Sequence, residues 1–363
     1  MLRIVLGALV ALIVIGGGYG LYLTRDGERV VPLGEGVVTA ASGEFEGAPL
    51  PDYAAGLMPE GTKSYFVEPE PGIKIHVLDV GEGQAVYLQH GNPTNALLYR
   101  KVAAQLPLDQ YRLVMPTMVG LGQSTKIPAS QHTLDNHLRW MSGAIAQLGV
   151  EDVIYVGQDW GGPIGMGVMA RNPDLLKGVV AMNTGFIAPR EERDLSSAHA
   201  MANRPFTGEL MLEGLGLIWG SLPDVQGDPA SMPEDVVALY SRPVLESGNA
   251  KAPLALMRMV PTGPDHPSAP HMREIETYVA GLDVPASLVW GMKDPILAQG
   301  LEPMKAQFPN APVTQTQAGH FLQEEVPAEI AAAIIAVHAE MIERASAPDA
   351  NTADGGAQDA PSA

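Results

Sequence analysis

Short apolar runs alternate with longer amphipathic segments along most of this chain. The apolar runs have the length and the content of Val, Ile and Leu that are typical of buried strands. They are Lys74–Val80, Ala85–Gln89, Tyr111–Met115, Asp152–Gly157, Gly178–Asn183 and Ala286–Trp290. Between them, Asn95–Leu106 has a helical pattern, and a second helix is expected to begin after the N-cap residue Thr133 and to end at Gly149. Strands that alternate with helices predict an α/β fold with a mostly parallel sheet flanked by helices.

The alternation stops after Asn183, and this break divides the chain into a core and an insertion. Residues 186–276 are rich in Pro and Met and irregularly helical, and the strand pattern resumes only at Ala286. Long insertions between regular elements often shape a binding pocket. We therefore assign residues 52–185 and 277–345 to the core and residues 186–276 to a helical cap.

The N-terminal segment has the composition of a membrane span. After Arg3, no charged residue occurs from Ile4 to Thr24, a run long enough to cross a hydrocarbon core of ~30 Å as a helix. Residues 1–25 are therefore predicted to be a transmembrane anchor that makes the protein a single-pass membrane protein of undetermined sidedness. The alternative is a signal peptide cleaved near Gly16–Gly18, which would make the protein periplasmic or secreted.

Two other segments lack the periodicity of folded elements. Residues 26–51 are Gly-rich, and we expect them to be a linker between the anchor and the domain. Residues 346–363 are small, polar and rich in Pro, Gly and Asp, so we expect a disordered tail.

Composition excludes several classes of function. The chain of 363 residues is 46% hydrophobic, so it can bury a large core. Its 41 acidic and 22 basic residues give a net charge of −19, which argues against a nucleic-acid partner because little is present to neutralise phosphates. The absence of cysteine excludes disulfides, thiolate metal sites and a cysteine nucleophile.

The segment VGQDWGG, residues 156–162, has the pattern of a sharp turn between a strand and a helix. Small residues flank its apex, as a crowded and strained turn of this kind requires. The apex residue is Asp159, whose side chain is expected at the carboxyl ends of the strands, where open sheets place their ligands. A turn closed by an Asx hydrogen bond is the simpler interpretation of this segment alone.

Two later segments complete a possible catalytic set. WGMKDP places Asp294 just after a strand, and QAGHFLQEE places His320 in a loop before the last long helix. The chain order of nucleophile, acid and histidine is the one expected of an α/β-hydrolase triad. In this interpretation His320 takes a proton from water, and Asp294 orients the ring and stabilises the imidazolium.

Two neutral donors could face the same carboxylate. The segment LQHGNPTN supplies Asn92 after a His-Gly pair, and Trp160 follows Asp159 directly; both side chains carry N–H groups. A serine at the apex would attack a carbonyl, whereas a carboxylate can displace a halide from an sp3 carbon. Amide and indole donors suit the departing halide, because a fixed cation would hold it too strongly and would pair with Asp159.

The motifs HGNPT, GQDWGG, GMKDP and AGHFLQEE, in this order between Tyr65 and about Ala345, resemble those of the haloalkane dehalogenases of the α/β-hydrolase superfamily. The resemblance implies Asp159 as nucleophile, His320 as base, Asp294 as acid, and Asn92 with Trp160 as the halide-stabilising pair. It also implies a halogenated alkane and water as substrates, a halide as product, and neither a metal nor an organic cofactor. The sequence departs from the family near Thr117, where the family usually has an aspartate. Relatives that take the acid after the preceding strand have a glutamate where this chain has Asn183.

Two alternatives remain open at this point. An epoxide hydrolase uses the same aspartate and histidine and protonates its substrate with cap tyrosines, for which Tyr240 and Tyr278 are candidates. However, such enzymes usually have histidine and an aromatic residue where Gln158 and Asn92 stand here. A non-catalytic, membrane-tethered binding protein could also keep this fold. Such proteins commonly lack a member of the triad, and none is missing from this sequence.

Overall fold

The computed structural model describes residue 20 and residues 22–347, and ten strands in this part of the chain form one sheet. The strands are β1 Val37–Ala40, β2 Gly43–Gly47, β3 Lys63–Glu70, β4 Ile73–Val80, β5 Gln84–Gln89, β6 Tyr111–Pro116, β7 Val153–Gln158, β8 Leu176–Met182, β9 Ala286–Gly291 and β10 Val313–Thr316. Their spatial order is β1-β2-β3-β4-β6-β5-β7-β8-β9-β10. In this spatial order, neighbouring strands pair antiparallel from β1 as far as β6. The strands from β6 through β5 to β10 pair parallel, and they form the parallel sheet predicted from the sequence.

The helices that lie beside this sheet form two groups, and other helices belong to the insertion. The described helices are α1 Arg100–Ala103, α2 Leu134–Ile145, α3 Gly161–Arg171, α4 Ser197–Ala202, α5 Leu217–Gly220, α6 Glu234–Leu245, α7 Ala252–Arg258, α8 Ala269–Ala280, α9 Leu301–Gln307, α10 Leu322–Glu325 and α11 Pro327–Ser346. Helix α3 packs against both α2 and α8, and α11 packs on α1 and on β7 to β9. The side chains between these helices and the strands form one continuous apolar core.

The segment expected to be a linker contributes to the sheet instead. Within residues 26–51, β1 and β2 form a hairpin that pairs with β3, and Phe45 stacks on Tyr65 with ring centroids 4.8 Å apart. Val30 also forms a bridge with Lys126. These strands lie at the edge of the sheet and are largely exposed, so they lack the apolar run that marks a buried strand.

The insertion between β8 and β9 contains α4 to α8 and a π-helix at Glu209–Gly214. Its last helix, α8, packs on α3 and continues to Ala280, so it crosses the predicted cap boundary at residue 276.

The predicted anchor and tail fall almost entirely outside the described residues. Residues 1–19, 21 and 348–363 are not described, and Ser346 is the last residue of α11. Among the residues that are described, no helix combines the length and the apolar composition that crossing a membrane requires.

Candidate active site

Asp159 lies at the apex of a strained turn between β7 and α3. Its φ of +51° is in the left-handed region that non-glycine residues rarely adopt. Three hydrogen bonds hold its backbone there: its N–H donates to the Asn183 carbonyl (3.0 Å), and its carbonyl accepts from Gly162 N (3.0 Å) and Thr184 Oγ1 (2.8 Å). Strain that is held in this way is typical of a functional position.

Two of the glycines in the motifs allow close backbone approach around Asp159. A Cβ atom on Gly161 would overlap the Gln89 carbonyl oxygen, and one on Gly91 would lie 2.5 Å from the Asp159 Cβ and Oδ1 atoms. No larger residue fits at either position without movement of the chain. Close packing around Asp159 therefore requires glycine at these positions of the HGN and DWGG segments.

The structure brings His320 and Asp294 next to Asp159. The His320 Nδ1 atom lies 2.9 Å from Asp294 Oδ2, and its Nε2 atom lies 3.8 Å from Asp159 Oδ2. His320 and Asp294 are buried, whereas 18% of the Asp159 side chain is exposed. One ring nitrogen thus contacts the buried carboxylate of Asp294, while the other faces Asp159.

Mutual attraction determines the charge states of His320 and Asp294. Burial alone would lower the pKa of His320 and raise the pKa of Asp294. The hydrogen bond and charge attraction between them outweigh burial, with a further contribution from Asp159 to the histidine and from Asn183 to the carboxylate. The pKa of His320 is therefore above, and the pKa of Asp294 below, its usual value. This pair favours the imidazolium that general-base catalysis produces.

Asn183 supports Asp294 from the end of β8. Its Nδ2 donates to Asp294 Oδ2 (2.8 Å), and its Oδ1 accepts from Gly291 N (2.8 Å). The other oxygen of Asp294 accepts from Ile296 N (2.7 Å). A neutral amide at the end of β8 thus orients Asp294.

The Asn92 backbone and side chain have different partners. Asn92 N donates to Asp159 Oδ1 (2.7 Å), which is the contact expected of an oxyanion hole. Its Nδ2 atom donates to the Pro253 carbonyl (3.1 Å), and Trp160 Nε1 donates to the Leu256 carbonyl (2.9 Å). Both predicted halide donors are therefore hydrogen-bonded to backbone carbonyls of α7. Sequence reasoning did not anticipate this, because α7 is distant in the chain.

Comparison with known proteins assigns the family. A family profile described as the alpha/beta hydrolase fold matches residues 84–215. Haloalkane dehalogenase 2 of Mycobacterium tuberculosis (strain ATCC 25618 / H37Rv) is 30% identical over 265 residues, which cover 72% of this chain and 90% of that protein. This chain belongs to the haloalkane dehalogenase family.

Other members of the family are similar to it as well. The haloalkane dehalogenase of Psychrobacter cryohalolentis is 29% identical over 271 residues, covering 72% of this chain and 86% of that protein. The crystal structure of the haloalkane dehalogenase DatA from Agrobacterium tumefaciens C58 matches with a TM-score of 0.69 and 25% identity. That match covers 78% of this chain and 99% of DatA. The family assignment therefore extends over nearly the whole length of these relatives.

A cavity of about 390 Å³ opens beside Asp159. Asp159, Trp160 and Thr184 lie on its wall, together with a largely apolar set: Pro163, Phe186, Ile187, Ala188, Pro189, Val260, Pro261, Met272, Ile296, Leu297, Pro303 and Met304. Apolar walls around one reactive carboxylate suit a small organic substrate.

The two candidate cap tyrosines contact other parts of the protein. The Tyr240 hydroxyl donates to Glu324, which also accepts two hydrogen bonds from the Arg100 guanidinium. Tyr278 lines a surface groove with Leu138 and Arg171. Neither tyrosine is among the described residues that line the cavity beside Asp159.

Sequence reasoning did not assign a role to three residues that support the site. Gln158 Nε2 donates to the His320 carbonyl (2.9 Å), and Glu325 Oε2 accepts from Gly319 N (2.7 Å), so both hold the histidine loop in place. Asn183 orients Asp294, as described above. Gln158 and Glu325 lie inside the motifs already identified, which is the signal that could have led to them.

Proposed function

We propose that this protein hydrolyses haloalkanes to an alcohol, a halide and a proton through a covalent ester on Asp159. The observation that carries the proposal is the environment of the two Asp159 oxygens. Oδ1 accepts from Asn92 N, whereas Oδ2 makes no hydrogen bond to the described residues and faces His320. Oδ2 is therefore the oxygen free to act as nucleophile.

The reaction has two steps. In the first, Asp159 Oδ2 forms a bond to the halogen-bearing carbon while the carbon–halogen bond breaks and the halide leaves with the bonding pair. In the second, His320 Nε2 takes a proton from water as the water oxygen attacks Asp159 Cγ. The developing charge on Oδ1 faces the Asn92 N–H group. Collapse then releases the alcohol and a proton and regenerates the carboxylate.

Halide binding by the side chains of Asn92 and Trp160 is part of this proposal. A halide that uses these donors replaces the Pro253 and Leu256 carbonyls as their acceptor, so α7 must withdraw slightly from the site. The backbone N–H of Asn92 needs no such movement, because it already contacts Asp159.

The contacts of the cap tyrosines favour dehalogenation over epoxide hydrolysis. An epoxide hydrolase needs acidic donors beside the nucleophile to protonate the ring oxygen. Tyr240 is hydrogen-bonded to Glu324, and Tyr278 lines a different groove. The intact set of Asp159, Asp294 and His320 also favours an enzyme over a binding protein.

Halide release from 1-bromobutane, 1,2-dibromoethane and 1-chlorohexane tests the proposal. We expect the full chain to release halide and Asp159→Ala to release none, because the substitution removes the nucleophile. Asp174→Ala, at an exposed aspartate outside the site, is the matched control and should keep full activity. Equal release by the Asp159→Ala variant, or no release by the folded parent with any of the three substrates, would refute the proposal.

We also propose that residues 1–25 anchor the enzyme in a membrane. The uncharged run from Ile4 to Thr24 supports this location, and the sequence leaves the sidedness open. The expressed full chain should remain in the membrane fraction after an alkaline carbonate wash and should keep its first residues on N-terminal sequencing. Recovery in the soluble fraction with a new N-terminus near Gly18 would instead establish a cleaved signal peptide.

A further inference from the structure

The cavity beside Asp159 contains an arginine in addition to the nucleophile. Among the described residues that line it, two are charged: Asp159 and Arg193. Most of the others are apolar, and the remaining polar groups are Thr184, Gln299 and Gln307. A cation is not needed to bind an unsubstituted haloalkane, which has no charged end.

Arg193 is held at the cavity by its backbone and by one side-chain nitrogen. Its N–H donates to the Thr262 carbonyl (2.8 Å), and its Nε donates to the Pro261 carbonyl (2.9 Å). Neither Nη atom donates to a group in the described part of the chain, and the side chain is accessible to solvent. The Nε atom of the guanidinium is therefore held in place, and its Nη atoms are free to bind a ligand.

Arg193 has no acidic partner among the described residues, unlike its neighbour Arg190. Acidic residues outnumber basic ones by 41 to 22. The neighbouring Arg190 pairs with Glu276 at 3.0 Å, whereas no carboxylate among the described residues lies within salt-bridge distance of Arg193. An unpaired arginine that presents two parallel donors is suited to bind a carboxylate from another molecule.

One further ionisable group near Arg193 is a histidine. His199 lies within electrostatic range of Asp159 and Arg193, but burial lowers its pKa and leaves it neutral at pH 7. Arg193 is thus the fixed cation at this cavity at neutral pH.

Resting on the proposed dehalogenation, we propose that the cavity selects halogenated alkanes that carry a carboxylate at the end opposite the halogen. The carbon–halogen end lies at Asp159, the alkyl chain contacts the apolar wall, and the carboxylate binds the Nη atoms of Arg193. Arg193 is a specificity-determining residue in this arrangement and takes no part in bond breaking.

Three substrates of the same chain length test the assignment: 1-bromohexane, 6-bromohexanoate and methyl 6-bromohexanoate. The methyl ester keeps the carbon chain and the carbonyl of the acid, removes its charge and adds one methyl group. We expect the full-length enzyme to have the highest kcat/KM for 6-bromohexanoate. We expect Arg193→Gln to lower that value about five- to tenfold, mainly through KM, as a partly exposed charge pair allows. The same variant should change kcat/KM for the other two substrates less than twofold.

Two further variants serve as controls. Arg190→Gln removes a nearby arginine that is paired with Glu276 and does not line the cavity, so all three substrates should behave as with the parent enzyme. Arg193→Lys keeps the charge and should retain part of the preference for the carboxylate.

The outcomes separate this inference from the proposed function. Turnover of 1-bromohexane without a preference for 6-bromohexanoate would overturn the role of Arg193 and leave the dehalogenase proposal intact. An equal loss with the acid and the methyl ester in Arg193→Gln would also overturn it, because Arg193 would then only shape the mouth of the cavity. No halide from any of the three would contradict dehalogenation itself.

Discussion

Asp294→Asn changes the charge beside His320 while keeping the size of the side chain. The carboxylate accepts three hydrogen bonds, from His320 Nδ1, Asn183 Nδ2 and Ile296 N, and two of these donors share Oδ2. If the asparagine oxygen stays on Ile296, its amino group faces both other donors. His320 must then carry its proton on Nε2, and that nitrogen can no longer accept a proton from water.

The expected magnitude follows from the lost contact. A hydrogen bond to a charged group contributes about 1.5–3 kcal/mol, which corresponds to a roughly 10- to 150-fold slower hydrolysis of the ester. The wrong tautomer adds to this loss; the equivalent change in a serine protease triad lowers kcat by about 10⁴. We therefore expect turnover to fall between about 10²- and 10⁴-fold. Attack by Asp159 does not require His320 to act as a base, so the first step should continue.

Rapid-quench measurement of halide, with intact-protein mass spectrometry, tests both parts of this expectation. Asp294→Asn should release about one halide per active site in a burst and then turn over slowly, with an alkyl adduct on the protein. Asp283→Asn, at an exposed aspartate that pairs with Arg344 on the surface, is the matched control. Multiple turnover within threefold of the parent rate, or the absence of both burst and adduct, would refute this account of Asp294.

Three further expectations concern other parts of the molecule. His320 must be neutral to act as a base, and its pKa is raised. When hydrolysis limits kcat, kcat should therefore fall as the pH drops through a value above about 6.5, and Asp294→Asn should move this fall to lower pH. A fall in the parent enzyme that begins only below pH 6 would contradict the pairing of His320 with Asp294. Trp160→Phe removes the indole donor and should weaken bromide binding about tenfold by calorimetry, whereas an unchanged affinity would exclude Trp160 as a halide donor. Arg100→Met removes the guanidinium from buried Glu324, which keeps its ion pair with Lys101 (3.0 Å) and its hydrogen bond from Tyr240. The free energy of unfolding in urea should fall by about 1.5–3 kcal/mol, and a loss under 1 kcal/mol would count against a role for Arg100 in stability.

The central strands could be predicted because they are buried on both faces. The run at Asp152–Gly157 corresponds to β7 at Val153–Gln158, and the run at Ala286–Trp290 corresponds to β9 at Ala286–Gly291. Strands β1, β2, β3 and β10 were not predicted, because β1, β2 and β10 are largely exposed and β3 has a buried run of only three residues, so none of them has a long apolar run. Pairing through the backbone, which sequence patterns do not record, holds these strands in the sheet.

The prediction of the helices was limited by their ends. Thr133 caps α2 as expected, with its side chain accepting from Asn136 N, but the helix ends at Ile145, and turns continue to Gly149. The helix expected at Asn95–Leu106 is a 3-10 turn followed by α1, which ends at Ala103. Local capping therefore identifies the start of a helix better than its end.

Local sequence was sufficient to nominate the three residues of the predicted triad, but not the hydrogen-bond acceptors of the two predicted halide donors. The turn at Asp159 and the chain order of Asp294 and His320 are properties of short segments. In contrast, the acceptors of Asn92 Nδ2 and Trp160 Nε1 lie 161 and 96 residues away, on α7. The position of α7 depends on packing of the cap, which no local motif specifies.

These contacts of α7 bear on how tightly the site can hold a halide. In the proposed role of these donors, a bound halide takes the Asn92 and Trp160 hydrogen bonds away from the Pro253 and Leu256 carbonyls, although the Leu256 carbonyl still accepts from Met259 N (3.2 Å). Each lost hydrogen bond contributes about 0.5–1.5 kcal/mol, so we expect a lower halide affinity than two open donors would give. We also expect the return of α7 to these contacts to favour departure of the product ion, so that the hydrogen bonds that occupy the donors also help to clear the site for the next substrate.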